Sequence, residues 1–511
     1  MTGISDTTPP PRTLRESLSH LGPGIVLASS IVGSGELIAT TTVGAEAGFL
    51  LLWLIVIGCA IKVAAQIEIG RATLTWGRTP LAAFDGIPGP RVGGRGWLFW
   101  GWAAMTALIL VQQGGILAGV AQTLAAGVPL TPGGSEWNSV HDEAAACTVA
   151  EAEMRRGGDA SAAATGHRLL EAVRAESATL VRPIDDTIWM VVTALVTMVL
   201  LAVGRYRFIE RASIAMVGTF TLVTIAALVV LQFNAAWSIS ANELASGLVP
   251  SIPPAIGGRS PLMTGLATFG IIGVGASELM IYPYWCLEKG YGRAVGPRDE
   301  SPEWAARARG WLGVMRLDAW ASMVVYTIVT VAFYLLGAAT LGRLGLRPEG
   351  GEMVRTLGSM YAPVFGPAAP VVFLVGGFAV LYSTLFVAAA GNARMIVDAL
   401  VLASWLSNTT AVREAWTRGI SAAWIAAALA LAIAIREPVG MVLASGAAQA
   451  IMLVGLAIAV INFRYGGIDA RLAPSPAWDL LLWVSSTGFV VIGLWTVWEK
   501  LQPLWATASG G

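Results

Sequence analysis

Residues 32–38 read VGSGELI and residues 274–280 read VGASELM. Both set Val-Gly ahead of Glu-Leu at the same offset, and both interrupt a long apolar stretch. Glycine and serine in succession weaken a helix. A glutamate at bilayer depth costs about 2.5–3.5 kcal/mol on insertion scales. Broken backbone at that depth is tolerated only where it is buried in protein or lines a cavity. A chain carrying both features twice reads as a membrane protein with two interrupted helices.

The composition agrees. Of 511 residues, 55% are hydrophobic and only 13% charged, with a mean hydropathy of +0.68. Soluble domains carry roughly 25% charged residues. The formal net charge is zero, so no nucleic-acid partner is expected. The expected partners are the lipid bilayer and a small ion or small-molecule substrate. Cys59, Cys147 and Cys286 make no metal or redox spacing, and His20, His141 and His167 all lie outside the apolar spans. A histidine-ligated metal or an intramembrane histidine relay is therefore not expected. No Ser/His or HExxH-like constellation falls within the spans, so an enzyme is not expected either. No cofactor is expected. The start, MTGISDTTPPPRTLRESLSH, is polar and proline-rich and does not read as a signal peptide.

A spanning helix needs about 20 mostly apolar residues. Eleven stretches qualify, at 22–47, 49–69, 98–126, 187–203, 212–234, 263–285, 317–340, 369–393, 419–435, 439–463 and 477–498. The predicted class is an all-α integral membrane protein. Its organisation runs as a polar tail at 1–20, spans one to three at 21–126, a polar insertion at 127–186, spans four and five at 187–235, spans six to ten at 236–463, and the eleventh span with a tail at 464–511. The positive-inside rule sets the orientation. Arg71, Arg78, Arg91 and Arg95, Arg205, Arg207 and Arg211, Lys289, Arg293, Arg298, Arg307 and Arg309, Arg413 and Arg418, and Arg464 and Arg471 all fall on one side. Only Arg259, Arg343, Arg347, Arg355 and Arg436 fall in the short loops opposite. This predicts a multi-pass protein of the plasma (inner) membrane with a cytoplasmic N-terminus and an outer C-terminus. The insertion would then lie outside, as a small cap or as a disordered segment. Within it, GHRLLEAVRAESA at 166–178 fits an amphipathic helix with Leu169, Leu170 and Val173 on one face.

The interrupted spans are the first and the sixth. A matched pair of broken helices points to a substrate site between two inverted repeats, here five spans each plus one extra. The candidate site comprises Gly33, Ser34, Gly35 and Glu36 from the first break, and Gly275, Ala276, Ser277 and Glu278 from the second. Thr40 is a candidate neighbour. Gln449 in the tenth span either lines the same cavity or makes an interhelical hydrogen bond. If the repeats cross near the midplane, Glu36 and Glu278 approach each other. Two carboxylates in a low dielectric cannot both ionise cheaply, so a shared proton, a bound cation or an amine is expected between them. The plainer readings are close helix packing by the glycines and pairing of a glutamate with a base. Lys62, inside the second span, is a candidate partner for Glu36 or for Glu68. Glu46, Asp318 and Asp398 fall near span ends, where a solvated role is expected.

Several short motifs resemble those of the Nramp family of divalent-metal transporters. Gly22-Pro23-Gly24 is similar to the GPG that opens the family's first helix. Gly48-Phe49, Leu51-Leu52-Trp53 and Gln66 follow in similar order. Gly275-Ala276-Ser277 resembles the GAT of the sixth helix, and Ser383-Thr384 with Ala390-Gly391-Asn392 resembles the ST and AGQ of the eighth. The resemblance implies a LeuT-type 5+5 inverted-repeat fold, with helices 1 and 6 broken and about eleven spans, and transport by alternating access. The family's Asp-Pro-Gly-Asn is replaced here by Gly33-Ser34-Gly35-Glu36, and its Met-Pro-His by Leu279-Met280-Ile281. The acidic positions of its third helix fall on Gln113 and Ile116. Losing the thioether and gaining glutamates shifts preference toward hard ions such as Mg2+ or Mn2+. Glu36 and Glu278 are the expected metal ligands. A small organic cation, amine or amino acid is the alternative substrate, with Tyr282, Tyr284 and Trp285 as aromatic walls. A membrane sensor or structural subunit is the third reading.

Overall fold

The computed structural model describes residues 7–157, 160–203, 206–255 and 260–509. Arg205, Arg259 and the outermost residues of both predicted tails lie outside these. Each expected span is a helix, generally longer than the apolar stretch that announced it. In order they are Pro23–Ala47, Leu52–Trp76, Trp97–Gly127, Asp185–Val203, Tyr206–Leu231, Pro261–Lys289, Pro302–Gly342, Ala369–Leu402, Thr410–Ile435, Pro438–Tyr465 and Pro476–Ser509. Among the described residues ten helices are long and apolar enough to cross a membrane. The fifth has a shorter apolar run, Val217–Leu231. Proline recurs at helix starts, where its missing N–H costs nothing.

The most polar spans are the most enclosed. The first and sixth are 94% buried, whereas the fourth and ninth are 28% buried and face outward. That ordering follows from chemistry, since interrupted backbone has to be shielded from lipid. Small residues let the central helices meet backbone to backbone. A Cβ on Gly270 would sit 2.0 Å from the Gly446 carbonyl, and one on Gly446 would sit 2.4 Å from that of Ala267, joining the sixth and tenth spans. Gly44 and Tyr334 join the first and seventh in the same way, at 2.4 Å.

The polar insertion is a helical hairpin, Pro132–Arg156 and Ala160–Thr179. Asp185 closes its base, accepting from the Leu130 and Thr131 amides at 2.9 and 3.0 Å and from the Thr131 hydroxyl at 2.7 Å. Arg355 holds its side, donating to Asp142 and Asn138 at 2.6 Å each. Leu170 and Val173 are buried as expected, but Leu169 is 55% exposed. The second helix packs only a narrow strip, around Gly166 and Leu170, against its partner, and Leu169 falls beside that strip.

Candidate functional site

The first span leaves helical geometry after Ile31. Gly33 takes φ −94° and ψ −91°, and a Cβ there would sit 2.0 Å from the Thr384 hydroxyl. The Thr384 side chain of the eighth span occupies that space, and the Ser383 and Thr384 hydroxyls donate to the Ser29 carbonyl at 3.1 and 3.3 Å. The backbone then resumes as a widened π-helix, Ser34–Thr40. Threonines satisfy its loosened carbonyls: Thr40 donates to Gly35 at 2.9 Å, Thr41 to Glu36 at 3.3 Å and Thr42 to Ile38 at 2.7 Å.

The sixth span stops at Ile271 and restarts at Ala276. Gly273, between them, has φ +61°, the left-handed region that favours glycine, and a Cβ there would press on Cys59 and Tyr326 at 3.1 Å. Its N–H donates to Glu36 Oε1 at 3.3 Å. The Thr330 hydroxyl of the seventh span lies 2.8 Å from the same oxygen and 2.6 Å from the Tyr326 carbonyl. Glu36 Oε2 is buried and has no hydrogen-bond partner among the described residues.

Glu278 is held separately. Its Oε2 accepts from the Ser277 hydroxyl at 2.7 Å, and its side chain is only half-buried. Gln449 Oε1 accepts the Ser277 N–H at 3.2 Å. Gln449 Nε2 donates to Gln112 Oε1 at 3.1 Å, where the Ser445 hydroxyl also donates at 2.7 Å. Gln112 Nε2 completes the chain by donating to the Ser34 hydroxyl at 3.0 Å. A continuous polar path thus runs from the first break, through the third and tenth spans, to the second break. A Cβ on Gly275 would collide with both Glu278 and Gln449, at 2.2 and 2.6 Å, so the missing side chain makes room for two polar ones. Gly35 lies against the Ile271 carbonyl, and Ala276 opens the second half-helix.

The candidate residues therefore gather around the two breaks, in two sub-clusters. Ser34, Gly275, Ser277, Glu278 and Gln449 share one network, while Glu36 turns to Thr330 and Gly273. The carboxylates share no hydrogen-bond partner, and among the described residues no three His, Cys, Asp or Glu side chains form a metal-ligating group. Gln112, Ser445 and Thr330 escaped the sequence reading. A Gln112-Gln113 pair inside an apolar span was the available signal, because buried amides need partners. Gln113 itself donates to the Leu385 carbonyl at 2.7 Å. Met280 is buried within the apolar core.

Several expectations need correction. Lys62 bonds to neither Glu36 nor Glu68; it donates to the Phe269 and Ile272 carbonyls at 2.5 and 2.8 Å. Glu68 is paired with Arg71 instead, an i,i+3 neighbour on its own helix. Asp318 is not solvated. It is buried and accepts the Gly22 and Gly24 N–H groups at 2.9 and 2.6 Å, capping the first span on either side of donorless Pro23. Asp398 is also buried, between Arg413 at 2.6 Å and the Tyr284 hydroxyl at 2.7 Å. Glu46 accepts from Thr264 at 2.6 Å. Tyr282 donates to Asp318 at 3.0 Å, and Arg394 lies 4.5 Å over the Trp285 ring. The three aromatic residues are thus engaged in packing and bonding the spans, not in walling an open pocket. A cavity of about 440 Å³ does exist, but Val149, Gly358, Phe373 and other residues of the hairpin and the eighth-span entrance line it, far along the chain from either break.

A model of the natural resistance-associated macrophage protein-like family matches residues 161–499, well over half of the chain. The chain belongs to the Nramp family. Nramp proteins are membrane transporters and not enzymes. The matched region includes the sixth- and eighth-span motifs; the first break precedes it. Solved structures of the Eremococcus coleocola manganese transporter share the fold. One, of a single-residue variant, has a TM-score of 0.58 at 13% identity, covering 98% of this chain and 91% of that one. Another, in complex with an aromatic bis-isothiourea substituted compound, has a TM-score of 0.57 at 13% identity, covering 99% and 92%. No curated protein sequence matches. This Nramp protein has the LeuT-type architecture, with the first and sixth spans broken at its centre.

Proposed function

We propose that this Nramp protein carries a hard divalent cation, Mg2+ or Mn2+, across the plasma membrane by alternating access, with Glu36 and Glu278 as its charged ligands. The observation that supports this most directly is the unpartnered Glu36 Oε2. A buried carboxylate oxygen with no donor awaits a ligand. The hydrogen-bonding groups around the breaks are carboxylate, hydroxyl, amide and backbone carbonyl, with the Cys59 thiol packed against the Gly273 turn. The oxygen donors suit hard ions. Ser34, Ser277 and Gln449 would contribute neutral ligands, and Gly33, Gly35, Gly275 and Ala276 the exposed backbone between them. The distribution of arginines supports a cytoplasmic N-terminus, with the hairpin and the C-terminus outside.

The test is uptake of Mg2+, Mn2+ and Ca2+, each alone, into proteoliposomes. Saturable uptake is expected in the wild type, with cadmium competing poorly. Glu36→Gln keeps the shape of the side chain and should abolish that uptake in folded protein. Undiminished flux in both Glu36→Gln and Glu278→Gln would sink the assignment. Absence of flux for every divalent ion would move it to an organic cation.

A further inference from the structure

The first half of the sixth span ends inside the molecule at Ile271, and its last carbonyls have no intrahelical donors. A half-helix C-terminus carries partial negative charge, and at membrane depth it draws a cation. Here the cation belongs to the chain. Lys62 is fully buried and places its Nζ 2.5 Å from the Phe269 carbonyl, 2.8 Å from the Ile272 carbonyl and 4.8 Å from the centre of the Phe269 ring. Two carbonyls and an aromatic face are ligands that a small monovalent cation also accepts.

The Ile272 carbonyl belongs to the same peptide unit as the Gly273 N–H. Lys62 thus pulls on one end of that unit while Glu36 accepts at the other, at 3.3 Å. Polarising a carbonyl strengthens the hydrogen bond its own amide donates. Lys62 and Glu36 therefore act on each other through one peptide group, without touching. Thr330 fixes the same carboxylate oxygen from the opposite span. The result aims the free Glu36 Oε2.

We propose that Lys62 is a tethered cation: its ammonium fills a monovalent-cation position at the sixth-span break, and through the Ile272–Gly273 peptide it positions Glu36. The protein then needs no free Na+ or K+ at this break. The positioning of Glu36 for a divalent ion rests on the proposed transport function; the occupation of the carbonyl site does not.

The experiment compares wild type and Lys62→Ala, as full-length purified protein, by thermal unfolding in choline, sodium, potassium, ammonium and methylammonium chloride at equal ionic strength. Lys62→Ala should unfold earlier in choline and be stabilised saturably by at least one of ammonium, methylammonium, sodium and potassium, while the wild type responds to none of them. In proteoliposomes the KM of Lys62→Ala for the divalent ion should rise roughly tenfold, as for other residues that orient metal ligands, and fall again with the same monovalent cation. Lys62→Gln keeps a donor without the charge and replaces Lys62→Ala if the latter does not fold. Wild-type KM in Lys62→Gln, or no saturable response of the folded variant to any of the four small cations, overturns the proposal. A wild type that moves no divalent ion overturns the transport reading, and the unfolding comparison still decides the role of Lys62.

Discussion

Glu36 and Gln112 show two ways of keeping a polar side chain inside a membrane protein. Glu36 leaves one oxygen unpartnered, whereas both ends of the Gln112 amide are engaged, donating to Ser34 and accepting from Ser445 and Gln449. Satisfied amides of this kind hold helices together, and removing one strands the groups it served. Gln112→Leu should therefore cost about 1–3 kcal/mol of stability, and Gln449→Leu a similar amount. The double variant should lose less than the sum, because the two residues serve one network. A double-mutant cycle from denaturant or thermal unfolding reads this directly, and strict additivity would show that the path is not a unit. None of these partners was legible locally. Gln449 was picked out by its place in an apolar span, but that Gln112 meets it depends on residues 337 positions apart.

Broken helices have two kinds of end, and this protein treats each with a charge of the matching sign. The N-terminus of the first span receives the Asp318 carboxylate, and the C-terminus of the first half of the sixth receives the Lys62 ammonium. Asp318→Asn keeps one acceptor oxygen but turns an amide donor toward a backbone donor. It should destabilise the protein by about 1–3 kcal/mol without altering which ion is carried. Unfolding midpoints, paired with ion competition, separate those two outcomes. Outside the spans, Asp469 lies in the connection before the eleventh span and accepts from Arg471 at 3.0 and 2.9 Å and from Arg298 at 2.9 Å. The Arg471 guanidinium, with Arg298 beside it, holds the Asp469 carboxyl well below the usual aspartate range. A depressed folded pKa stabilises above the unfolded value and is lost only as pH falls toward the folded one. The contribution of this cluster should therefore be complete above about pH 4 and fade below it. Asp469→Asn should abolish that acid-side loss, as measured by stability against pH; an unchanged slope would count against it.

Across the whole chain, burial runs opposite to a soluble protein. The interrupted, polar first and sixth spans sit at the centre, and apolar spans such as the fourth and ninth lie at the perimeter with most of their residues exposed. The hairpin Pro132–Arg156 and Ala160–Thr179 joins the core through Ala152 of its first helix, buried in one apolar cluster with Met353, Leu357 and Phe373. Its hydrogen bonds through Asp142, Asn138 and the Asp185 base reach none of the residues at the breaks. Replacing residues 134–180 by a short linker should leave the spans folded and the KM for the divalent ion unchanged. Proteoliposome uptake by the shortened protein checks this, and a raised KM would assign the hairpin a part in admitting the ion.

The amino-acid order alone determined the membrane class, the eleven helices and the positions of both breaks. Those properties are local: apolar length, glycine content and the offset of a glutamate from its break are read within one helix. The Nramp likeness was legible for the same reason, as short motifs in order. The polar tract after the third span was legible as an insertion, but its pairing into a hairpin was not. What the tertiary structure alone decided is what each charge faces. Lys62 reaches carbonyls 207 and 210 residues away, Glu36 meets Thr330 at a separation of 294, and Asp318 caps a helix 294 and 296 residues before it. A buried charge takes the counterpart that packing brings within reach, and when that counterpart is backbone, its side-chain identity leaves no mark in the sequence.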